Sequence, residues 1–444
     1  MNEYPSHVKH CLLAAISQIT ARKDEFVKHP GRDFSRNRKI SLNRMIFFLV
    51  GAEASTMQFE LQKFSFLFPK SISGLPSCSA MFQRRSKLSG DAMPAVFAEF
   101  NKQFLPKAIN GLYLLAVDGT QINIAYDLKD KENHHFSHQW NVRGYNDLHA
   151  VVLQDLSTQK YLDAIIQNGT EKNEHAALCE LVQRSSLPLD KTVLTADRGF
   201  VSFNFFLHAE RIGCRYVVRA NDAYVRHLLG TASLPDAMDT RITLYLTRSR
   251  ATGFRKHPEH PELYRVIPSK TTFDFLEPGA REEIPVSLRI VRFQLKDGIF
   301  ENIITNLSVE EFPPERLKWI YRKRWGIETS FRNLKCILAL EQFRSKKPEH
   351  ILQEIWARLI LYNFCMEIAS HAKLPEKIRK HPHKIDIANA LRTCHYFLRR
   401  PPGHENDLNI MELIERAHSP VRPGRMAPRR HRPHFPKSFQ YRNA

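Results

Sequence analysis

The chain has 444 residues, of which 43% are hydrophobic and 25% are charged, so it is long enough to form two to four globular domains. Its 66 Lys and Arg outnumber 46 Asp and Glu, and the formal net charge of +20 favours a polyanionic partner. No apolar run approaches the roughly 18 residues of a membrane-spanning helix, so nucleic acid is a better match than a membrane surface.

The seven cysteines are scattered along the chain and contain no C-x-x-C pair. A zinc site or a disulfide framework is therefore not expected, and the thiols are predicted to be reduced in a cytoplasmic protein. The N-terminus also lacks the charged-then-apolar layout of a secretion signal.

Residues 1–110 are predicted to form a helical domain. Within it, Ser77 precedes a short basic helix over residues 81–88, whose basic side chains are Arg84, Arg85 and Lys87. The order of helix, turn and basic helix is typical of helix-turn-helix DNA readers, which makes these three side chains candidate DNA contacts. The alternative is an ordinary helix face exposed to solvent.

From residue 111 the apolar pattern becomes strand-like, and residues 111–220 are predicted to form the first part of an α/β core. Two continuous apolar runs, Tyr113–Val117 and Thr192–Ala196, predict buried strands that stop at Asp118 and Asp197. The other predicted elements are strands over 148–153, 161–167 and 215–219 and helices over 174–184 and 203–211. The first two of these strands form a hairpin, and the whole pattern predicts a mixed sheet flanked by helices.

The remaining chain divides into three predicted segments. Residues 221–312 alternate in polarity and contain several prolines, which predicts a β-rich insertion of antiparallel strands. Residues 313–375 return to helical spacing and are predicted to form the second part of the core, including a helix over about 315–340. Residues 376–444 are predicted to form a C-terminal helical region that ends in a basic, disordered tail from residue 417 onwards.

The helix over residues 315–340 groups four polar side chains on one face. At 100° per residue they fall within an arc of about 60°, beside an apolar stripe that can dock on a core. These side chains are Tyr321, Arg324, Glu328 and Lys335. Taken alone, the pattern also fits an amphipathic helix with a charged shoulder exposed to solvent.

Asp118 and Asp197 each end a predicted buried strand, and each is followed within two positions by glycine. A carboxylate at that point lies at the rim of the sheet, where ligands of α/β folds gather. Taken alone, each aspartate is also explained as part of a common turn. Together with Glu328 they form a set of three carboxylates, and such hard oxygen ligands suit two Mg²⁺ or Mn²⁺ ions that act on a phosphodiester.

Several segments resemble insertion-sequence transposases of the insertion-sequence-four family. Ala116–Thr120 and Thr195–Phe200 resemble the two catalytic-aspartate segments of that family. The family also has a Y-x2-R-x3-E-x6-K signature, and the residues that match it at the same spacing are Tyr321, Arg324, Glu328 and Lys335. The resemblance covers roughly residues 111–370 and implies an RNase H-like core interrupted by the β-rich insertion.

The resemblance also implies roles and partners. The implied catalytic triad, which holds two Mg²⁺ or Mn²⁺ ions, is Asp118, Asp197 and Glu328. The implied DNA phosphate contacts are Tyr321, Arg324 and Lys335. The implied reaction is cleavage at transposon ends followed by strand transfer, with terminal inverted repeats, target DNA and a second copy of the chain as partners. The implied setting is the prokaryotic cytoplasm, with nucleoid association when the protein binds DNA.

Two other functions stay open: a catalytically silent descendant that only binds DNA, and an RNase H-like nuclease without strand transfer. Three intact carboxylates argue against the first, and the basic N-terminal region and tail argue against the second. Relatives that excise through a DNA hairpin place a tryptophan in the insertion to stack on a flipped base, whereas residues 221–312 contain none. The candidate substitutes are Phe254, Phe273 and Phe275.

Overall fold

The computed structural model describes residues 2–36, 39–68, 74–136, 144–249, 258–296, 298–375 and 381–421. Within these residues, ten strands form one mixed sheet with helices on both faces, which confirms the predicted α/β class. Side chains of the first strand alternate between the two layers. Leu114 and Ala116 pack into one apolar core, and Leu115 and Val117 pack into the other.

The N-terminal helices share the first of these cores with helices from the C-terminal part of the chain. They are α1 (Glu3–Ala21), α2 (Leu42–Gly51), α3 (Met57–Lys63), α4 (Cys78–Arg85) and α5 (Ala92–Asn101). Ser77 caps α4 by accepting a 3.2 Å hydrogen bond from the backbone N–H of Ala80. The described part of residues 1–110 is therefore helical, as predicted, although α4 lies slightly earlier in the chain than the expected 81–88.

The strands of residues 111–220 are β1 (Tyr113–Ile124), β2 (His134–His135), β3 (Tyr145–Asp155), β4 (Tyr161–Asn168), β5 (Thr192–Ala196) and β6 (Arg215–Ala220). Two helices accompany them, α6 (Glu174–Arg184) and α7 (Phe203–Arg211). The central order is β4–β3–β1–β5–β6, in which β3 is antiparallel to β1 and β4, and β5 and β6 run parallel to β1. The predicted hairpin is confirmed, but β1 continues well past its predicted end at Val117.

The described part of residues 221–312 consists of α8 (Asp222–Leu229), β7 (Met238–Thr247), β8 (Tyr264–Val266), β9 (Glu283–Lys296) and β10 (Ile299–Thr305). These strands extend the same sheet, because β10 pairs with β6 and is followed by β9, β7 and β8. The segment is rich in strands, as predicted. However, β8 runs parallel to β7 rather than antiparallel, and the sequence pattern does not predict β10 or α8.

The last part of the chain is mostly helical. Its elements are α9 (Pro314–Lys323), α10 (Trp325–Arg332), a π-helical segment (Asn333–Ile337), α11 (Pro348–Ala369), β11 (His383–Ile385), α12 (Ile387–Leu398), α13 (Ile410–Arg416) and β12 (His418–Pro420). β12 pairs with β11, so the prediction of disorder from residue 417 is wrong for this short strand, while residues 422–444 lie outside the described part of the chain. Among the described helices, none has the length and apolar character needed to cross a membrane.

Candidate active site

Asp118 and Asp197 lie side by side on neighbouring parallel strands. The last residue pair of the β1–β5 ladder is Val117 and Ala196, so the two aspartates are the next residues on each strand. β5 ends there, whereas β1 continues to Ile124 because β3 pairs with its other edge. The two carboxylates therefore meet at the carboxyl end of β5, where ligands of such sheets bind.

The prediction that Asp118 ends a strand is wrong. Gly119 lies inside β1 opposite Val151 of β3, and its backbone N–H donates a 2.9 Å hydrogen bond to Asp118 Oδ1. Pairing with β3 keeps this stretch extended, and an apolar run that stops at an aspartate does not reveal such pairing. Asp197 does follow the end of its strand, as predicted, and precedes a short 3₁₀ turn over Arg198–Phe200.

Side chains from both sides of the junction between α9 and α10 reach the two aspartates. The Arg324 guanidinium donates to Tyr321 Oη and to Glu328 Oε1, both at 3.0 Å. It also lies 3.7 Å from Asp118 Oδ2. The Tyr321 hydroxyl donates to Asp197 Oδ1 at 3.4 Å. One buried guanidinium therefore links all three carboxylates of the predicted triad, either directly or through one phenol.

The prediction of one regular helix over residues 315–340 is wrong at two places. The backbone N–H of Arg324 donates to the carbonyl of Tyr321, and that of Ile327 donates to the carbonyl of Arg324, so a tight 3₁₀-like turn separates α9 from α10. The second departure is the π-helical segment Asn333–Ile337. The apolar stripe still packs into the core as expected.

Lys335 lies apart from the other predicted side chains of this segment. Its ammonium donates to the backbone carbonyl of Gln121 on β1 and lies 3.1 Å from Glu341 Oε1. Lys335 sits within the π-helical segment, and the wider turn there changes its angular position relative to a regular helix. The structure therefore places Lys335 beside β1 but joins it to Gln121 and Glu341 rather than to the three carboxylates.

Arg219 and Glu301 complete the surroundings of Asp197. Val218 of β6 pairs with Ala196, so Arg219 is the register neighbour of Asp197, and its Nη1 lies 3.8 Å from Asp197 Oδ1. Arg219 Nε also lies 3.3 Å from the buried Glu301 Oε1 on β10. One feature of the sequence indicates Arg219. This arginine follows an apolar run, in a strand beside those that lead to Asp118 and Asp197.

The site concentrates negative charge in a partly buried space. Loss of solvent raises the pKa of the Asp118 carboxyl from its usual 3.8 to about 6; the Arg324 guanidinium opposes this shift, and the charges of Asp197 and Glu328 add to it. Burial also raises the pKa of the Tyr321 hydroxyl. The three carboxylates therefore outweigh the positive charge beside them, which favours a bound cation.

The donor chemistry of the three carboxylates fits a divalent cation. Carboxylate oxygens are the ligands that Mg²⁺ and Mn²⁺ prefer, and a cation would stabilise the ionised Asp118 carboxylate, whose pKa is raised mainly by burial. The three carboxylates do not form a complete metal-ligand set in this conformation. The described residues contain no group of three or more His, Cys, Asp or Glu at metal-binding spacing. Glu328 is instead paired with Arg324.

Asp118→Asn is expected to stabilise the fold in metal-free solution at neutral pH. The folded-state pKa of about 6 lies above the unfolded 3.8, so the ionised carboxylate destabilises the folded chain by about 2–3 kcal/mol above pH 6. The uncharged amide removes this cost. Wild-type Asp118 gains its proton in the fold as the pH falls through 6, so the advantage of the variant should shrink between about pH 6 and pH 4. Thermal unfolding in EDTA across this range measures the difference, and an unfolding temperature at or below wild type at pH 7.5 contradicts the expectation.

The predicted N-terminal DNA contacts have different environments. Arg85 is buried, and its guanidinium donates to the side chains of Gln353 at 2.8 Å and Glu354 at 2.7 Å on α11. It therefore fastens α4 to α11, and the structure does not support a DNA contact at Arg85. A basic helix read from sequence does not reveal which of its charges face a neighbouring helix.

Arg84 and Lys87 line an open cleft of about 1000 Å³ beside α4. The Arg84 guanidinium lies 4.4 Å from the ring centroid of Phe34, and the Lys87 ammonium donates to the buried Asp33 carboxylate. The basic residues that line the cleft are Arg32, Arg36, Lys39, Arg84 and Lys87. Among the described residues that line it, none is acidic, so the cleft is a positively charged surface.

The phenylalanines proposed to stack on a flipped base already pack against other protein side chains, where the structure describes them. Phe273 is buried in the apolar core beneath α7. Phe275 packs on His208 with ring centroids 4.7 Å apart, and the Arg211 guanidinium lies 4.7 Å from the same ring. Phe254 lies outside the described residues.

Paired aspartates where the ladder of two parallel strands stops, a glutamate on a later helix and an excess of basic residues define a candidate site for phosphodiester chemistry on nucleic acid. Residues 110–364 match the protein family described as the transposase DDE domain. This match covers more than half of the 444 residues, and the chain belongs to that family.

Individual relatives support the same assignment. The chain is 24% identical over 316 residues to the transposase InsG for insertion sequence element IS4 of Escherichia coli strain K12, which covers 66% of this chain and 62% of InsG. It is 38% identical over 58 residues to the putative transposase InsL for insertion sequence element IS186A of the same strain, which covers 13% of this chain and 16% of InsL. The match to InsG thus spans less than two thirds of that protein.

Among solved structures, the chain is similar to the piggyBac transposase in a synaptic complex with hairpin DNA. The superposition has a TM-score of 0.44 at 12% identity and covers 89% of this chain and 80% of that one. A likeness at this level does not establish a shared fold.

Proposed function

We propose that the chain is a DNA transposase that cleaves DNA at transposon ends and joins the ends to target DNA. The observation that carries this proposal is the linkage of Asp118, Asp197 and Glu328 around one buried guanidinium at the rim of the sheet. Membership of the transposase DDE family and the similarity to InsG support it. The strand order β4–β3–β1–β5–β6 supports the finer proposal of an RNase H-like core, with residues 221–312 as an insertion before the glutamate helix.

We assign the binding of two Mg²⁺ or Mn²⁺ ions to Asp118, Asp197 and Glu328. Divalent cations held there supply charge neutralisation and Lewis-acid polarisation for phosphodiester cleavage. Arg324 and Tyr321 are both buried and contact the carboxylates, so we assign them to the positioning of these ligands rather than to phosphate binding alone.

Positive charge for the DNA phosphates comes from side chains at the edge of the site. Lys335 is about a fifth exposed beside β1, with a side-chain exposure of 22%, and Arg219 is about a third exposed beside Asp197, with 34%. Ammonium and guanidinium groups in such positions form charge-assisted hydrogen bonds to phosphate oxygens. The proposed partners remain those that the resemblance implies: inverted-repeat ends, target DNA and a second copy of the chain.

The direct test uses DNA that carries the inverted repeats flanking the coding sequence. With Mg²⁺, the purified chain is expected to nick at the repeat ends and to join them to a target plasmid, detected by sequencing the junctions. Nicking without joining favours the nuclease, and binding without nicking favours the silent DNA-binding descendant. Either of these outcomes contradicts the proposed function.

Removing exposed charge from the cleft beside α4 is expected to weaken DNA binding without unfolding the chain. Arg32→Ala together with Arg36→Ala should lower the dependence of log Kd on log salt concentration by about 2, because each lost phosphate contact lowers it by about 1. Fluorescence anisotropy with a labelled inverted-repeat duplex at several salt concentrations measures this slope. The matched control removes two exposed lysines outside the cleft, Lys191→Ala with Lys270→Ala. An equal loss in the control contradicts a specific role of the cleft.

A further inference from the structure

A histidine–glutamate pair lies against β1 on the face opposite to the carboxylate of Asp118. His149 of β3 and Glu174, the first residue of α6, approach to 2.7 Å between Nε2 and Oε1. Successive residues of a strand point to opposite faces, so Gly119 turns towards this pair while Asp118 turns towards Arg324. Glu174 is not one of the three carboxylates that residue type and spacing indicate.

Gly119 provides the space that this pair occupies. A Cβ atom at position 119 would overlap Glu174 Oε1 and would lie only 2.6 Å from His149 Nε2. Gly119 lies within the extended strand β1 and does not have a positive φ, so any residue could adopt its backbone conformation. The close approach of the pair, rather than a turn, therefore accounts for the glycine after Asp118.

The start of α6 also lies near the second aspartate segment. A Cβ atom at Gly199 would lie 3.9 Å from Glu174 Oε2, so the carboxylate faces this turn and leaves room beside the glycine. His175, the next residue of α6, packs on Phe200 with ring centroids 6.3 Å apart. The start of α6 therefore touches the residue after Asp118 and the short turn after Asp197.

The pair is a close polar contact. His149 is buried, and its Nε2 lies 2.7 Å from Glu174 Oε1, which is within hydrogen-bond distance. Contact with His149 lowers the pKa of the Glu174 carboxyl, and the positive end of the α6 dipole also favours its negative charge. Asn173 caps the same helix by accepting a 3.0 Å hydrogen bond from the backbone N–H of Ala176, which fixes where the helix begins.

We propose that His149 and Glu174 are positioning residues that set the separation of Asp118 and Asp197 from behind the sheet. The inference rests on the proposed transposase function. Backbone pairing between β1 and β5 stops at Val117 and Ala196, so the ladder itself does not hold the two aspartates together. At the point where that ladder ends, Glu174 and His149 fill the space beside Gly119 and His175 packs on Phe200, so the start of α6 bridges the two aspartate segments.

A double-mutant cycle at Gly119 tests this arrangement. Gly119→Ala displaces the pair and is expected to reduce Mg²⁺-dependent DNA cleavage by about 10- to 100-fold, the usual effect of losing a group that orients metal ligands. In a chain that already carries Glu174→Ala and His149→Ala, the same substitution should cost less than about threefold, because its methyl group then enters vacated space. Equal losses in the two backgrounds overturn the proposal.

A second measurement does not depend on cleavage. Mn²⁺ binding to the chain without DNA, followed by electron paramagnetic resonance, is expected to weaken about 10-fold or more in Glu174→Ala while the unfolding temperature changes little. Glu180→Gln is the matched control, since it removes a solvent-exposed carboxylate of the same helix that pairs with Arg184. Glu174→Gln keeps the side-chain shape and replaces the alanine variant if that variant does not fold.

The outcomes separate the inference from the function on which it rests. Wild-type chain that neither nicks nor joins DNA overturns the proposed function, and Mn²⁺ affinity then still tests the pair. Wild-type activity with unchanged cleavage and unchanged Mn²⁺ affinity in the Glu174 variants overturns the positioning role alone.

Discussion

Asp197→Asn is expected to reduce Mg²⁺-dependent DNA cleavage by about 1000-fold or more while leaving DNA binding within about twofold of wild type. Divalent cations contribute several kcal/mol to phosphodiester cleavage, and each 1.4 kcal/mol corresponds to about tenfold in rate. The amide has the size of the carboxylate and can still accept the hydrogen bond from Tyr321, so the loss concerns the negative charge rather than the shape of the site. Single-turnover cleavage of an inverted-repeat duplex measures the rate.

The control for this variant is Asp190→Asn, which changes an exposed aspartate just before β5, at its other end. It should cleave at the wild-type rate. Glu328→Gln, tested in parallel, should lose as much activity as Asp197→Asn if both carboxylates belong to one metal site. Cleavage by either variant within about tenfold of wild type contradicts the assignment of the triad.

The regular elements of the core could be predicted because their limits depend on local sequence. α6, β5 and α7 begin and end at the predicted residues. In each case the repeating pattern of apolar residues starts or stops at a polar or turn-forming residue, and Asn173 caps α6. Local signals of this kind are sufficient when neighbouring strands do not alter the limits of an element.

Other features depend on pairing between distant segments and could not be predicted from the sequence. β1 extends to Ile124 only because β3 lies along its second edge, and β10 exists as a core strand because it pairs with β6. Arg85 illustrates the same limit for charge. Its basic neighbours predict an exposed helix face, yet its partners lie on α11, more than 260 residues further along the chain.

The candidate site divides in the same way. Residue type and spacing indicate Asp118, Asp197 and Glu328, because a metal site for phosphodiester chemistry needs oxygen ligands of this kind. Arg219 and Glu174 carry no comparable spacing signal. They reach the site through strand register and through the start of a helix on the opposite face of the sheet, and both of these follow from tertiary structure.

Arg324→Ala is expected to destabilise the fold and to make its stability depend on divalent cations. The buried guanidinium contacts Asp118, Tyr321 and Glu328, and its removal leaves the carboxylates without their main neutralising charge. The expected cost is about 3 kcal/mol, the low end for breaking a buried ion pair, because Glu328 keeps contact with water. Thermal unfolding at pH 7.5 with EDTA or with Mg²⁺ measures both effects.

Mg²⁺ should raise the unfolding temperature of Arg324→Ala more than that of wild type. The cation binds the folded chain and not the unfolded one, and in the variant it replaces the positive charge that was removed. The loss should also shrink as the pH falls towards 6, because the Asp118 pKa of about 6 rises further without the Arg324 charge and the variant gains this proton at a higher pH than wild type. Arg324→Lys keeps a positive charge but lacks the planar guanidinium that donates to both Tyr321 and Glu328, so an intermediate loss of stability is expected.

A cavity left by the missing side chain destabilises the fold without any dependence on Mg²⁺ or pH. A loss of stability that responds to neither therefore contradicts the charge-neutralising role of Arg324.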